Sequence, residues 1–272
     1  MKIGNFSLDK KKTAIMGILN VTPDSFSDGN LFFDADSAVE RAKEIAKEGA
    51  DIIDIGAESS RPGSQAVSEE EELRRILPVV KSLVKELNIS ISIDTYKPKV
   101  ADECLKLGAH MINDITGLTN SKMLKVISSH EVPAVIMHMQ GTPKNMQKNP
   151  QYKNVVLDIK TFFKQRINQA KKYKINDLIL DPGIGFGKTT EHNLQIIKHL
   201  KKFEDLNYPI LIGTSRKSFI GNITGDAVNE RLEGTIASIT IAALNGADIV
   251  RVHDVKECRK ALQVADAIRR AK

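Results

Sequence analysis

Apolar residues recur along the chain in short runs, and eight of these runs break on a residue able to do chemistry. The runs ending near Leu19, Ile55, Ile93, Ile112, Met137, Leu180, Ile212 and Val250 lead into Asn20, Gly56 to Glu58, Asp94, Asn113, His138, Asp181, Gly213 to Lys217, and Arg251 with His253. Between most of them lies enough sequence for one helix. A buried strand needs no polar terminus for its own stability, so eight such endings point to strand ends gathered on one rim. That pattern predicts an α/β fold, a single (β/α)8 TIM barrel whose working face is the carboxyl end of its strands.

The local punctuation fits the same unit. Strands are predicted at 51–55, 89–93, 133–137, 177–180, 209–212 and 248–252, and helical periodicity marks 37–48, 69–86 (with a kink at Pro78), 155–172, 192–202, 230–244 and 255–270. Gly49, Gly108 and Gly246 each follow an amphipathic stretch and precede a β-branched run, the place of a helix C-cap before the next strand. Two βα loops, 20–34 and 56–68, are longer than scaffold geometry requires and sit on the predicted active face, where long loops act as lids. A doubly wound sheet would carry a Gly-rich turn after its first strand, whereas Asn20-Val21-Thr22-Pro23 stands there.

Size and composition agree with a single barrel. The chain has 272 residues, near the usual size of one barrel, and reads as one domain over 1–272. With no Trp and 5% aromatics, its core must rest on Ile, Leu, Val and Ala. The formal charge is +6, but basic residues alternate with acidic ones, which suits an anionic small substrate better than nucleic acid. Cys104 and Cys258 lack metal-ligand spacing and read as buried thiols. The N-terminus has no signal-length apolar core, and no run reaches the 18 or so residues of a membrane span. A cytoplasmic protein without membrane contact is expected.

The strand-end residues carry the candidate chemistry. In Asp181-Pro182-Gly183-Ile184-Gly185-Phe186-Gly187-Lys188-Thr189 the first Gly of a phosphate loop is replaced by Pro182, so a P-loop is excluded. These glycines would instead let backbone wind past a ligand beside Asp181, with Phe186 offering an apolar face, although a turn into a helix would read the same. Asp94, Asn113 and Asp181 together suit a flat heterocycle rich in N–H donors; carboxylates in a barrel mouth also hold metals. Arg251 and His253 alternate to one side of the last strand, a common anion site, though an Arg there also pairs with neighbouring carboxylates. Ser215-Arg216-Lys217-Ser218 would begin a helix facing an anion. His138 reads equally as an inert strand end.

Taken together these segments resemble the dihydropteroate synthase family of folate biosynthesis, the target of sulfonamides. The resemblance rests on Gly17 to Gly29 (GILNVTPDSFSDG), Asp54 to Gly63 (DIGAESSRPG), Ile93-Asp94-Thr95, Ile112-Asn113-Asp114, Met137 to Pro143 (MHMQGTP), Asp181-Pro182-Gly183, Ser215-Arg216-Lys217-Ser218 and Arg251-Val252-His253-Asp254. It runs in family order from about Ala14 to Val255.

The resemblance implies transfer of a dihydropterin-methyl group from (7,8-dihydropterin-6-yl)methyl diphosphate to p-aminobenzoate. It places the pterin on Asp94, Asn113, Asp181 and Lys217 with Met137 packing nearby, and Mg²⁺ on Asn20. It places diphosphate on Arg251, His253 and Ser60, p-aminobenzoate among Phe26, Arg61, Pro62, Phe186 and Ser218, and counts Val252 among the substrate-binding residues. Catalysis would rest on Lys217, Asp94, Asp181, Arg251 and His253, and a homodimer is implied. Two departures stand out: Ser60 replaces the family's Thr but keeps the hydroxyl, and Asn30 replaces a second Gly but still tolerates a left-handed backbone. A folate–corrinoid type methyltransferase would share the pterin carboxylates but need no diphosphate cradle, and a non-catalytic pterin binder could lose that cradle. Diphosphate release separates all three.

Overall fold

The structure, a computed structural model, describes residues 1–22, 35–59 and 63–271. A short antiparallel hairpin, β1 (Lys2–Ile3) and β2 (Phe6–Ser7), precedes eight parallel strands. These are β3 (Ala14–Asn20), β4 (Ile52–Gly56), β5 (Ser90–Asp94), β6 (Met111–Asp114), β7 (Ala134–Met137), β8 (Leu178–Asp181), β9 (Leu211–Ile212) and β10 (Ile249–Val252). They pair in the order β8-β7-β6-β5-β4-β3-β10-β9. A parallel bridge from Leu180 to Ile210 joins the two ends and nearly closes the barrel, as the strand pattern predicts.

Helices return the chain between strands: α1 (Ala35–Lys47), α2 (Glu69–Glu86), α3 (Pro98–Lys106), α4 (Ser121–His130), α5 (Val155–Lys172), α6 (Thr190–Lys198), α7 (Ser218–Thr224), α8 (Leu232–Leu244) and α9 (Val255–Arg270). Ser68 caps α2 by accepting the Glu71 N–H, and four glutamates follow in its first turn, where the helix dipole favours them. Pro78 lies inside that continuous helix. The predicted 192–202 helix differs in its limits. Thr189 caps it two residues earlier, with His192 returning the bond, and after Lys198 the chain tightens into a 3-10 segment at Leu200–Leu206.

Period-two alternation splits each strand between two cores. Outward residues such as Ile15, Ile53, Ile91, Ile112, Ile136, Leu180 and Val250 pack under the helices. Inward residues Ala14, Met16, Ile52, Met111, Val135, Ile179, Leu211 and Ile249 fill the lower barrel. Ile3 joins this inner cluster, with Met1, Phe6 and Leu8 packed beside it, so the hairpin plugs the bottom. Ser90 secures the plug by donating to the Ile3 carbonyl at 2.5 Å and accepting the Phe6 N–H at 3.3 Å. No helix among the described residues is long and apolar enough to cross a membrane.

Candidate active site

Above the apolar floor the inward rows turn polar. On β4 the row runs Ile52, Asp54, Gly56; on β5 Ser90, Ser92, Asp94; on β10 Ile249, Arg251. Register fixes the neighbours: Asp54 lies beside Ser92, Asp94 beside Asn113, and Met137 beside Asp181.

Arg251 ties this layer together. Its Nε donates to Asp54 Oδ2 at 2.6 Å and its Nη2 to Asp94 Oδ2 at 2.7 Å. Asn113 Nδ2 donates to the same Asp54 oxygen at 3.0 Å. Asp54 is fully buried, and its Oδ1, like Ser92 Oγ, has no hydrogen-bond partner among the described residues. Burial pushes Asp94 up to about 7 even though Arg251 pulls the other way. The pairing with carboxylates, one of the two sequence readings of Arg251, is present through its Nε and Nη2.

Asp181 ends β8 across the barrel. Its Oδ1 accepts the Gly183 N–H at 2.7 Å, which turns the chain into the glycine-rich loop, and burial raises it to about 6 against the pull of that bond and of Lys217. The turn has no room for side chains: a Cβ on Gly183 would lie 2.0 Å from the His138 carbonyl oxygen, and one on Gly187 2.4 Å from that of Gln140. The loop carries Phe186 beneath Lys217, whose Nζ stands 4.3 Å from the ring centroid. Met137 and Phe186 join Ile115 and Met146 in a buried apolar patch edged by Tyr96 and Met139. A planar ligand would thus meet carboxylates and an amide at its edge and this patch on its face.

His253 and Ser215 form a pair near the end of β10. Ser215 Oγ lies 3.0 Å from His253 Nδ1 and accepts the His253 N–H at 3.2 Å. Burial drives His253 down to about 3, helped by Arg251 and Arg216, so at neutral pH its ring is uncharged and serves as a hydrogen-bonding group. Arg216 is turned away, in a left-handed conformation (φ 56°), and pairs with Asp254. Lys217 precedes α7, and Ser218, its first residue, is exposed. Asn20 closes β3 opposite Gly56.

One proposed contact needs correction. Val252 is fully buried in the layer between sheet and helices, because alternation turns it away from the side that Arg251 faces. Its side chain is therefore not available to a ligand in the mouth. Phe26, Ser60, Arg61 and Pro62 lie outside the described residues.

Three features escaped the sequence reading. Asp54 precedes the strand end by two residues and looks like one polar break in an apolar run; its inward parity was the available signal. Lys188 closes the glycine-rich loop and is 3% exposed, an unusual place for an ammonium. The third is a cluster beside the mouth. Lys97 is paired with both Glu58 and the buried Glu72, Thr95 Oγ1 donates to Glu72 at 2.6 Å, and the Tyr96 hydroxyl donates to Glu58 at 2.8 Å. It anchors the start of the second long loop to the next one. Glu58, Asp94, Tyr96 and Pro143 line a small cleft there.

Comparison with known proteins adds to this geometry. A family described as pterin binding enzyme matches residues 16–253. The chain is 48% identical to the dihydropteroate synthase of Clostridium beijerinckii, over 98% of this chain and 99% of that one. A Yersinia pestis dihydropteroate synthase structure in complex with a sulfonamide drug superposes with a TM-score of 0.95 at 43% identity, covering 100% of this chain and 99% of the other. A dihydropteroate synthase structure from Clostridium difficile, obtained in the presence of pteroic acid, gives 0.90 at 47% identity with 100% of both chains covered.

Proposed function

The chain belongs to the pterin-binding enzyme family, and from that premise we propose that its barrel mouth joins (7,8-dihydropterin-6-yl)methyl diphosphate to p-aminobenzoate, giving 7,8-dihydropteroate and diphosphate. The observation that carries the substrate assignment is the inward polar layer of Asp94 and Asn113, facing Asp181 across an apolar patch of Met137 and Phe186. Pteroic acid, present with the Clostridium difficile relative, contains both a pterin and a p-aminobenzoate half.

The chemistry follows from these groups. The bond that breaks joins a methylene carbon to a diphosphate oxygen, and the adjoining pterin ring shares the positive charge that develops on carbon. Asp181, buried, and Asp94, partly buried, would accept from ring donors and favour that charge electrostatically. Lys217, on the rim above Phe186, would donate to an acceptor atom of the ring. The p-aminobenzoate nitrogen then attacks the carbon and loses a proton, while the released diphosphate carries away the electron pair of the broken bond. Phe186 would form part of the acceptor's apolar wall, with Ser218, Phe26, Arg61 and Pro62 completing it. His253 and Ser215 offer hydrogen bonds on the leaving-group side, a role the family pattern also gives to the Ser60 hydroxyl. Water would compete for the carbon, so the reaction gains from a site that excludes it.

A magnesium ion fits this donor set in one way. No group of three His, Cys, Asp or Glu among the described residues can hold a metal, so a caged ion does not fit. Mg²⁺ commonly keeps several waters and binds through substrate phosphates with one or two protein groups. The Asn20 amide at the rim would be such a group, and the ion would offset charge on the leaving diphosphate. EDTA is therefore expected to stop turnover while changing the affinity for diphosphate-free pterin by less than about twofold. Calorimetric titration of free pterin with and without EDTA checks this.

The direct test of the function is diphosphate release by the purified protein with pterin-methyl diphosphate and Mg²⁺. Release that needs p-aminobenzoate, with equal dihydropteroate formation, supports the reading; pterin binding without release overturns it.

A second copy of the chain is the proposed partner. Leu194 on α6, Ile223 on α7 and Ile241 and Leu244 on α8 are exposed on helices that pack together, an apolar surface suited to a twofold contact. Ile241→Glu is expected to yield a monomer by analytical ultracentrifugation where the parent chain sediments as a dimer. Free, buried Cys104 and Cys258 accord with the reducing cytoplasm.

A further inference from the structure

Lys188 is a buried cation with no part in the mechanism above. Lys188 Nζ lies 2.9 Å from the Phe186 carbonyl, 3.3 Å from the His138 carbonyl and 3.0 Å from His138 Nδ1. Two of these contacts return to the β7 end, and the third closes on the loop that bears Phe186. The His138 N–H in turn donates to the Asp181 carbonyl at 2.9 Å, so β7, β8 and the loop share one small network. The His138 ring stands edge-on to Phe162 with centroids 4.9 Å apart, which fixes its plane. The Tyr152 hydroxyl also holds the loop, donating to the Gly187 carbonyl at 2.7 Å.

A buried ammonium is expensive, and burial drags Lys188 down to about 7 although Asp181 opposes the change. His138, also buried, falls to about 3, so its ring is neutral and Nδ1 can accept. A helix or a hydrophobe would close the loop without such a cost. What the amine supplies is three convergent hydrogen bonds from one point to two segments in close approach, where a Cβ on Gly183 or Gly187 would strike the β7 loop.

We propose that Lys188 is a positioning residue for the acceptor half of the reaction: by clasping the Phe186 and His138 carbonyls and His138 Nδ1, it holds the Phe186 ring beneath Lys217 where p-aminobenzoate is received. The inference rests on the assignment of Phe186 to the acceptor site. Lys188 touches no substrate; it acts through Phe186.

Steady-state kinetics of Lys188→Met, Phe186→Ala and the double variant test it. Lys188→Met keeps length and bulk but removes every donor. The expected result is a KM for p-aminobenzoate raised about tenfold or more, with the KM for the pterin diphosphate changed by less than about threefold, as displacement of one wall of a site predicts. The double variant is expected to be no worse than Phe186→Ala alone, because residues acting through one another are not additive. Unchanged acceptor KM in Lys188→Met, equal rises for both substrates, or additive effects in the double variant would each overturn the proposal. Should Lys188→Met not fold, Tyr152→Phe loosens the same loop at Gly187. It is expected to raise the acceptor KM selectively by about threefold, the scale of one neutral hydrogen bond, and no selective rise overturns the proposal. Phe186→Ala without effect on the acceptor KM removes the acceptor-site assignment itself, and the inference with it.

Discussion

Asp181→Asn is expected to lower kcat/KM for the pterin diphosphate by about 10²–10³ while making the unliganded protein more stable. The two effects share one cause. Burial raises Asp181 to about 6, so its ionised form is held in the barrel at a cost. Because the folded-state value lies above the unfolded one, the native chain binds the proton more tightly. Stability falls as pH rises from about 4 towards 6, and above that window the native state bears the whole cost, on the order of 1–3 kcal/mol. Asparagine removes the charge but keeps an oxygen able to accept the Gly183 N–H, so the turn into the glycine-rich loop survives. The melting temperature at pH 8 should therefore rise by several degrees, and the gain should shrink below about pH 5. What is lost is the charge that favours a cationic transition state. Thermal unfolding and steady-state rates on the same preparations decide it. A variant that loses activity and melts lower has lost structure rather than charge, and one that keeps activity removes Asp181 from the pterin site.

That coupling explains which parts of the site could be read from the chain. Asp94, Asn113 and Asp181 were visible because each ends an apolar run, and a polar residue there has no structural excuse. Asp54 was not, because it interrupts its run two residues early, and only the parity of β4 shows that it faces inward alongside Asp94. Val252 fails by the same rule in reverse: it lies between two inward residues but points to the helices. The terminal hairpin, with two residues in each strand, is too short to leave a periodic trace; it becomes intelligible once the open bottom of the barrel needs Ile3 to fill it. Lys188 reads in sequence as the polar end of a glycine loop, and its burial arises only because the β7 end folds over it.

Long-range pairing of Arg251 was the least legible feature, since 197 residues separate it from Asp54 and 157 from Asp94. It also carries the second large prediction. Arg251→Met is expected to destabilise the fold by about 3–5 kcal/mol at pH 8, the scale for stranding one member of a buried ion pair. That corresponds to a fall in melting temperature on the order of 10 °C. The guanidinium compensates a carboxylate with no exposure at all and another that burial already lifts to about 7. Removing the cation moves Asp94 higher still, further above its unfolded value. Its protonated form is then the stable one, so the deficit should be small near pH 5 and grow as pH rises through and beyond about 7. Arg251→Met with Asp54→Asn should recover much of the melting temperature, because the stranded buried charge is gone, yet remain inactive, because the polar floor beneath the pterin is no longer organised. Differential scanning calorimetry across pH 5–8 on the three proteins separates these roles. If Arg251→Met melts like the parent at pH 8 while losing affinity only for the diphosphate-bearing substrate, the arginine works as an anion contact and the carboxylates need no counter-charge.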